Sequence, residues 1–133
     1  MRLNIEQICQ APVPSFPIAV KGDTMSYTRK YTPETQSRDE LDQNAGPMVI
    51  EFGTNWCGIC QGAQADIKAA MDNHPDIPHV KVEDGKGRRL GRTFGVKLWP
   101  TLIFLKDGRE QTRVVRPERS SEIEDAMLKI LQG

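Results

Sequence analysis

The chain has 133 residues, 38% of them apolar, which is enough for one hydrophobic core and too little for two ordinary domains. Eighteen Lys and Arg balance eighteen Asp and Glu, so no bulk charge draws in nucleic acid or an anionic membrane, and neither is expected as a partner. Three cysteines are too few, and too odd a number, for a disulfide scaffold, and a reducing, cytoplasmic setting is expected.

Residues 1–25 show no sustained periodicity, and Pro12, Pro14 and Pro17 interrupt their only apolar stretch, so neither a secretion signal nor a membrane span is expected there. They read as an irregular extension, with Cys9 given no catalytic role, ahead of one domain over 26–133. Alternation over 26–31 is weak, and the polar start at 33–41 predicts one short helix. After Gly46 and Pro47, the run Met48, Val49, Ile50, Glu51, Phe52 predicts a strand buried on both faces, with Glu51 as its one misfit. Ala63, Ile67, Ala70 and Met71 recur at helical spacing until Pro75 ends the run.

A short strand is expected over 79–83 and a short helix over 88–94, closed by Gly95, whose tolerance of positive φ suits a helix end. Strands over 101–105 and 111–115 flank Asp107-Gly108, a hairpin turn signal. Ile123, Ala126, Met127, Ile130 and Leu131 form the apolar stripe of a last helix, and Ser121 with Glu124 has the spacing of a capping box. The resulting class is α/β.

Cys57 and Cys60 stand where the buried strand runs into the first long helix. A helix N-terminus, with its unpaired amides, favours an ionised thiol, and two intervening residues let a second thiol reach back to a mixed disulfide on the first. The rival reading is zinc, because Cys57, Cys60, His74 and His79 have the spacing of a two-cysteine, two-histidine finger. Pro75 and Pro78 lie between the histidines and forbid the continuous helix that would carry them, so no metal is expected and both histidines are read as ordinary surface or loop residues. For Glu51, a carboxylate in an apolar strand must be paired or protonated, and a raised pKa would let it exchange protons near neutrality. Ile59 supplies a first-turn amide that a proline would lack, which predicts a hydrogen bond to Cys57 and a more oxidising couple.

The buried strand with one acid, the sequence Trp56-Cys57-Gly58-Ile59-Cys60, the following helix, and Gly95-Val96-Lys97-Leu98-Trp99-Pro100-Thr101 before a hairpin resemble the thioredoxin family over roughly residues 26–133. The resemblance implies a thioredoxin fold: a central mixed sheet flanked by helices, ending in a β-hairpin and a helix. It implies a thiol–disulfide oxidoreductase acting on protein disulfides, with Cys57 attacking and Cys60 resolving, and a redox-active Cys57–Cys60 disulfide in place of a cofactor. Glu51 would manage the proton of Cys60 with Lys81 as its partner. Trp56, Gly58, Ile59, Trp99 and a cis Pro100 would form the substrate surface. A reductase or a low-molecular-weight thiol would supply electrons to a monomeric protein. Ile59, Gln61, Ala65 and Trp99 depart from the family pattern, which leaves the chemistry in place and bears on the choice of partner. Arg113, Arg116 and Arg119 near the expected groove would favour acidic partners. The alternatives are a non-redox binding or chaperone-like module on the same fold, and an oxidant or isomerase in an oxidising compartment.

Overall fold

The computed structural model describes residues 27–34 and 36–131. Cys9 and the extension over 1–25 lie outside the described residues. Among the described residues, four strands, β1 (Pro47–Gly53), β2 (His79–Glu83), β3 (Thr101–Lys106) and β4 (Arg109–Val115), form one sheet in the order β2-β1-β3-β4. β1 and β2 are parallel, and the other two pairings are antiparallel, so the sheet is mixed as expected. The hairpin turns at Asp107 and Gly108, both at positive φ, as the turn signal required.

Among the described residues, four helices cover the sheet: α1 (Arg38–Asp42), α2 (Gly58–Asp72), α3 (Leu90–Thr93) and α4 (Ser120–Leu131). Period-two alternation divides β1 and β3 between two cores. Val49, Leu102 and Phe104 pack with Ile67 and Met71 of α2 and Ile123 and Met127 of α4. Met48, Ile50, Phe52, Ile103 and Leu105 face the other way, onto Leu41, Leu90 and Phe94. Glu51 shares the parity of Val49 and is therefore carried beneath α2.

Helix ends differ from the sequence reading where side chains settle them. α1 begins at Arg38, later than expected, because Ser37 and Glu40 form a complete capping box. α3 spans only four residues of the expected seven, with Gly95 beyond it at φ +71°. The capping box expected of Ser121 and Glu124 is absent. Glu122 accepts the amides of Glu118 and Arg119 instead, while Glu124 reaches across to Asn73 and His74.

The segment around Tyr27–Tyr31 forms no regular strand, yet it shields the outer edge of β2. Thr28 Oγ1 donates to the His79 carbonyl, Thr32 N–H donates to Lys81 O, and Glu83 N–H donates to Thr32 O. An exposed edge in a parallel pair would otherwise offer unpaired backbone groups to other chains.

Candidate functional site

Cys57 is the N-cap of α2, and its Sγ accepts the Cys60 amide at 3.2 Å. This corrects one sequence expectation: the amide on the Cys57 sulfur belongs to Cys60, not Ile59, so a proline at 59 would leave that bond in place. Cys57 is partly exposed, Cys60 is buried, and the two are unbridged thiols. The sulfurs are thus distinguished by access and by their place at the helix end. Burial pushes the Cys60 thiol up to about 12, with the neighbouring Cys57 adding to the rise and contacts from the Thr54 backbone and Tyr31 opposing it.

Gly53 ends β1 below this pair. A Cβ at that position would stand 2.7 Å from Cys60 Sγ and 2.8 Å from the Tyr31 hydroxyl, so only glycine lets these groups share the space.

Glu51 is fully buried and densely partnered. Its Oε2 accepts from the Tyr31 hydroxyl and from Gln64 Nε2 at 3.0 Å, and its Oε1 accepts from His79 Nε2 at 2.9 Å. His79 Nδ1 accepts the Thr28 amide at 2.9 Å, which assigns the imidazole proton to Nε2 and makes it a donor to the carboxylate. Burial alone pushes the Glu51 carboxyl up. The His79 hydrogen bond and interaction, the Lys81 ammonium and the Tyr31 hydroxyl outweigh it, and the carboxyl is held below its ordinary value. The expectation of a raised pKa is therefore overturned. An apolar strand looks hostile to charge in one dimension, but three donors and a cation converge on this position in three.

Lys81 is opposite Glu51 in the β1–β2 register, as expected of a partner. Its Nζ is 4.0 Å from Glu51 Oε2, while its hydrogen bonds go to Gln64 Oε1 at 2.7 Å and Arg29 O at 2.9 Å. Gln64 therefore links the two charges. Burial pushes the Lys81 ammonium down, and the nearby Glu51 and Cys60 oppose that shift.

His79 is the second correction. It is buried, hydrogen-bonded to Glu51 and stacked on Tyr27 at 5.5 Å between ring centroids, not an ordinary surface or loop residue. Parity along β2 puts it on the same face as Lys81, a signal the sequence contained. Gln64, four residues after Cys60 on one helix face, was likewise readable from spacing. Tyr31 carried no such signal, since its segment has no regular period. His74 pairs with Glu124 at 2.7 Å, and no group of three or more His, Cys, Asp or Glu among the described residues is arranged to hold a metal.

The outer surface is aromatic. Trp56 and Ile59 are exposed, and the Trp56 ring meets Trp99 edge-on at 5.8 Å between centroids. The Trp99–Pro100 peptide is cis, as the resemblance implied. Trp99 is held by its Nε1 donating to Asp84 Oδ2 at 2.8 Å, and Asp84 in turn occupies the space over Gly91, where a Cβ would lie 2.4 Å from its Oδ1. Arg116 clamps the same segment, with Nε on Trp99 O and its amide on Pro100 O, both at 2.9 Å. Arg113 is occupied by Glu110 and the Phe94 carbonyl, so two of the three arginines expected to attract acidic partners are engaged within the fold.

Asp84→Ala is expected to release the Trp99 indole. With only Trp56 and Trp99 in the chain, tryptophan emission reports the change directly. The KM for a protein disulfide should rise several-fold while reaction with a small disulfide stays at the wild-type rate, since a hydrogen bond to a charged group contributes about 1.5–3 kcal/mol to holding the ring.

Comparison with known proteins agrees with this geometry. The Thioredoxin family model matches residues 28–129. The chain is 26% identical over 92 residues to Thioredoxin H2 of Arabidopsis thaliana, spanning 69% of this chain and 68% of that protein. It is 31% identical over 86 residues to mitochondrial Thioredoxin-3 of Saccharomyces cerevisiae, spanning 63% of this chain and 67% of the relative. Among solved structures, reduced thioredoxin 2 from Pseudomonas aeruginosa PAO1 superposes with a TM-score of 0.70 at 53% identity, covering 78% of this chain and 96% of that one. With a CxxC pair at the head of α2 on this mixed sheet, the chain belongs to the thioredoxin family and is a thiol–disulfide oxidoreductase.

Proposed function

We propose that the protein reduces disulfides in protein substrates, with Cys57 as the attacking thiol and Cys60 as the resolving one. The observation that carries this reading is the unequal access of the two sulfurs, one partly exposed at a helix N-terminus and one buried behind it. The Cys57 thiolate attacks a substrate sulfur, forming a mixed disulfide and expelling one substrate thiolate. The Cys60 thiolate then attacks Cys57 Sγ, closing the Cys57–Cys60 disulfide and expelling the second substrate thiolate. Two electrons pass from the dithiol to the substrate, and the pair itself serves where other oxidoreductases need a cofactor.

Glu51 accepts the Cys60 proton. Held ionised, it is an available base at neutral pH, and the high proton affinity of Cys60 makes an acceptor necessary. Lys81 and Gln64 hold the carboxylate in place. Trp56, Gly58, Ile59, Trp99 and Pro100 form the docking surface, with the exposed Trp56 and Ile59 suited to an extended polypeptide around the target disulfide and the half-buried Trp99 and buried Pro100 as its floor. A reductase or a low-molecular-weight thiol regenerates the dithiol in a monomeric protein of the cytoplasm. No helix among the described residues is long and apolar enough to cross a membrane.

Insulin-disulfide reduction measured together with the reduction potential tests this reading. Rapid insulin reduction at a potential near other cellular reductants supports it. A potential in the range of strong oxidants would make the protein a disulfide donor, and no turnover with either direction of exchange would leave a binding module.

A further inference from the structure

Cys60 and Glu51 are bridged rather than paired. The oxygens of Glu51 are taken by His79 on one side and by Tyr31 and Gln64 on the other. Of these, Tyr31 alone also stands beside the reacting sulfur: a Cβ on Gly53 would lie 2.7 Å from Cys60 Sγ and 2.8 Å from the Tyr31 hydroxyl, the same hydroxyl that donates to Glu51 Oε2. Gln64 reaches Glu51 and the Cys60 carbonyl at 2.8 Å, but an amide does not relay protons.

The placement of Tyr31 is over-determined. Its amide donates to Asn55 Oδ1 at 2.9 Å, and Asn55 Nδ2 donates back to its carbonyl at 3.0 Å, two residues ahead of Cys57. The ring is buried, with Lys81 Nζ 4.3 Å from its centroid. Gly53 clears the point where sulfur and hydroxyl converge, since any Cβ there would collide with both.

We propose that the Tyr31 hydroxyl carries the proton between Cys60 and Glu51. As Cys60 Sγ attacks, its proton passes to Tyr31 Oη while the proton already on Tyr31 passes to Glu51 Oε2. The electron pair left on Cys60 Sγ forms the bond to Cys57 Sγ, the Cys57–substrate bond breaks, and the substrate thiolate leaves to be protonated by solvent. Tyr31 is neutral before and after, so no tyrosinate forms. Reduction of the disulfide runs the same path backwards and returns the proton to Cys60. This deepens the reading above and rests on Glu51 being the proton acceptor for the resolving step.

The test separates the two half-reactions. Attack by Cys57 is followed by its alkylation with iodoacetamide, and resolution by stopped-flow release of thionitrobenzoate from the Cys57 mixed disulfide formed with DTNB. Tyr31→Phe, which keeps the ring and removes only the hydroxyl, is expected to slow release about 10- to 100-fold, within the range of a general acid–base contribution, and to leave alkylation unchanged. Groups acting in series are not additive, so Tyr31→Phe combined with Glu51→Gln should release no more slowly than the slower single variant.

Wild-type release from Tyr31→Phe beside slow release from Glu51→Gln overturns the relay and leaves the Glu51 reading standing. Wild-type release from Glu51→Gln overturns both. Additive losses, or equal slowing of both half-reactions, make Tyr31 a packing residue and also overturn the relay. Should Tyr31→Phe not fold, 3,5-difluorotyrosine at position 31 keeps the hydroxyl and raises its acidity. A changed release rate with unchanged alkylation then supports the relay, and an unchanged release rate refutes it.

Discussion

Cys60→Ser is expected to turn the protein from a catalyst into a trap, holding substrate proteins as mixed disulfides on Cys57, while Cys57→Ser neither turns over nor traps. The asymmetry follows from position. Cys57 caps α2 with its sulfur reachable from solvent, so it can meet a bulky disulfide. Cys60 is buried beneath it and can attack only Cys57 Sγ, once that sulfur already carries a substrate in a mixed disulfide. A serine hydroxyl at 60 is far too weak an acid to release that mixed disulfide. Non-reducing electrophoresis and mass spectrometry of adducts in each variant decide the roles, and adducts formed through Cys60 in Cys57→Ser would reverse them. Turnover should fall to background in both variants, so adducts rather than rates carry the distinction.

Glu51→Ala should be the most destabilising single change in the site. It leaves the His79 Nε2 proton, the Tyr31 hydroxyl and the Gln64 amide without their shared acceptor, and the buried Lys81 ammonium without its countercharge. Removing one partner from a buried charged network costs about 3–5 kcal/mol, which for a domain of this size lowers Tm by roughly 10–25 °C. The pH dependence has a definite sign. A carboxyl whose folded pKa lies below its unfolded one contributes stability that is fully present above the unfolded value, about 4.3, and is lost as pH falls through the folded value. Urea unfolding of wild type and Glu51→Gln, which keeps the shape and removes the charge, should therefore differ most near neutrality and converge in acid below pH ~4. The Lys81 pKa, already pushed down by burial, should fall further in either variant, because Glu51 is the largest influence supporting its proton. A gap between wild type and Glu51→Gln that persists unchanged into acid would mean the carboxylate is not held ionised.

Local pattern made much of this protein legible. The apolar run at β1, the break at Pro75, the Asp107-Gly108 turn and the stripe of α4 each depend on residues a few positions apart, and each element formed where it was expected. The cysteine pair was legible for the same reason, since a CxxC at a strand-to-helix junction is a contiguous signal. The proton machinery was not. Whether Glu51 is charged depends on Tyr31, Gln64, His79 and Lys81, which arrive from an irregular segment, from α2 and from β2.

Those contacts are set by register and packing. Parallel pairing of β1 with β2 puts Lys81 opposite Glu51, and parity along β2 then carries His79 inward with it, against its reading as a surface residue. The glycine at 53 carries the same lesson, for its necessity shows only when Cys60 and Tyr31 are seen to occupy the place its side chain would take. The sequence by itself determined the fold and the two sulfurs, because short-range periodicity and spacing encode them. The tertiary structure alone decided which groups surround the carboxylate and which amide meets Cys57, because the energy of a buried charge is fixed by every neighbour within a few ångströms, whatever its distance along the chain.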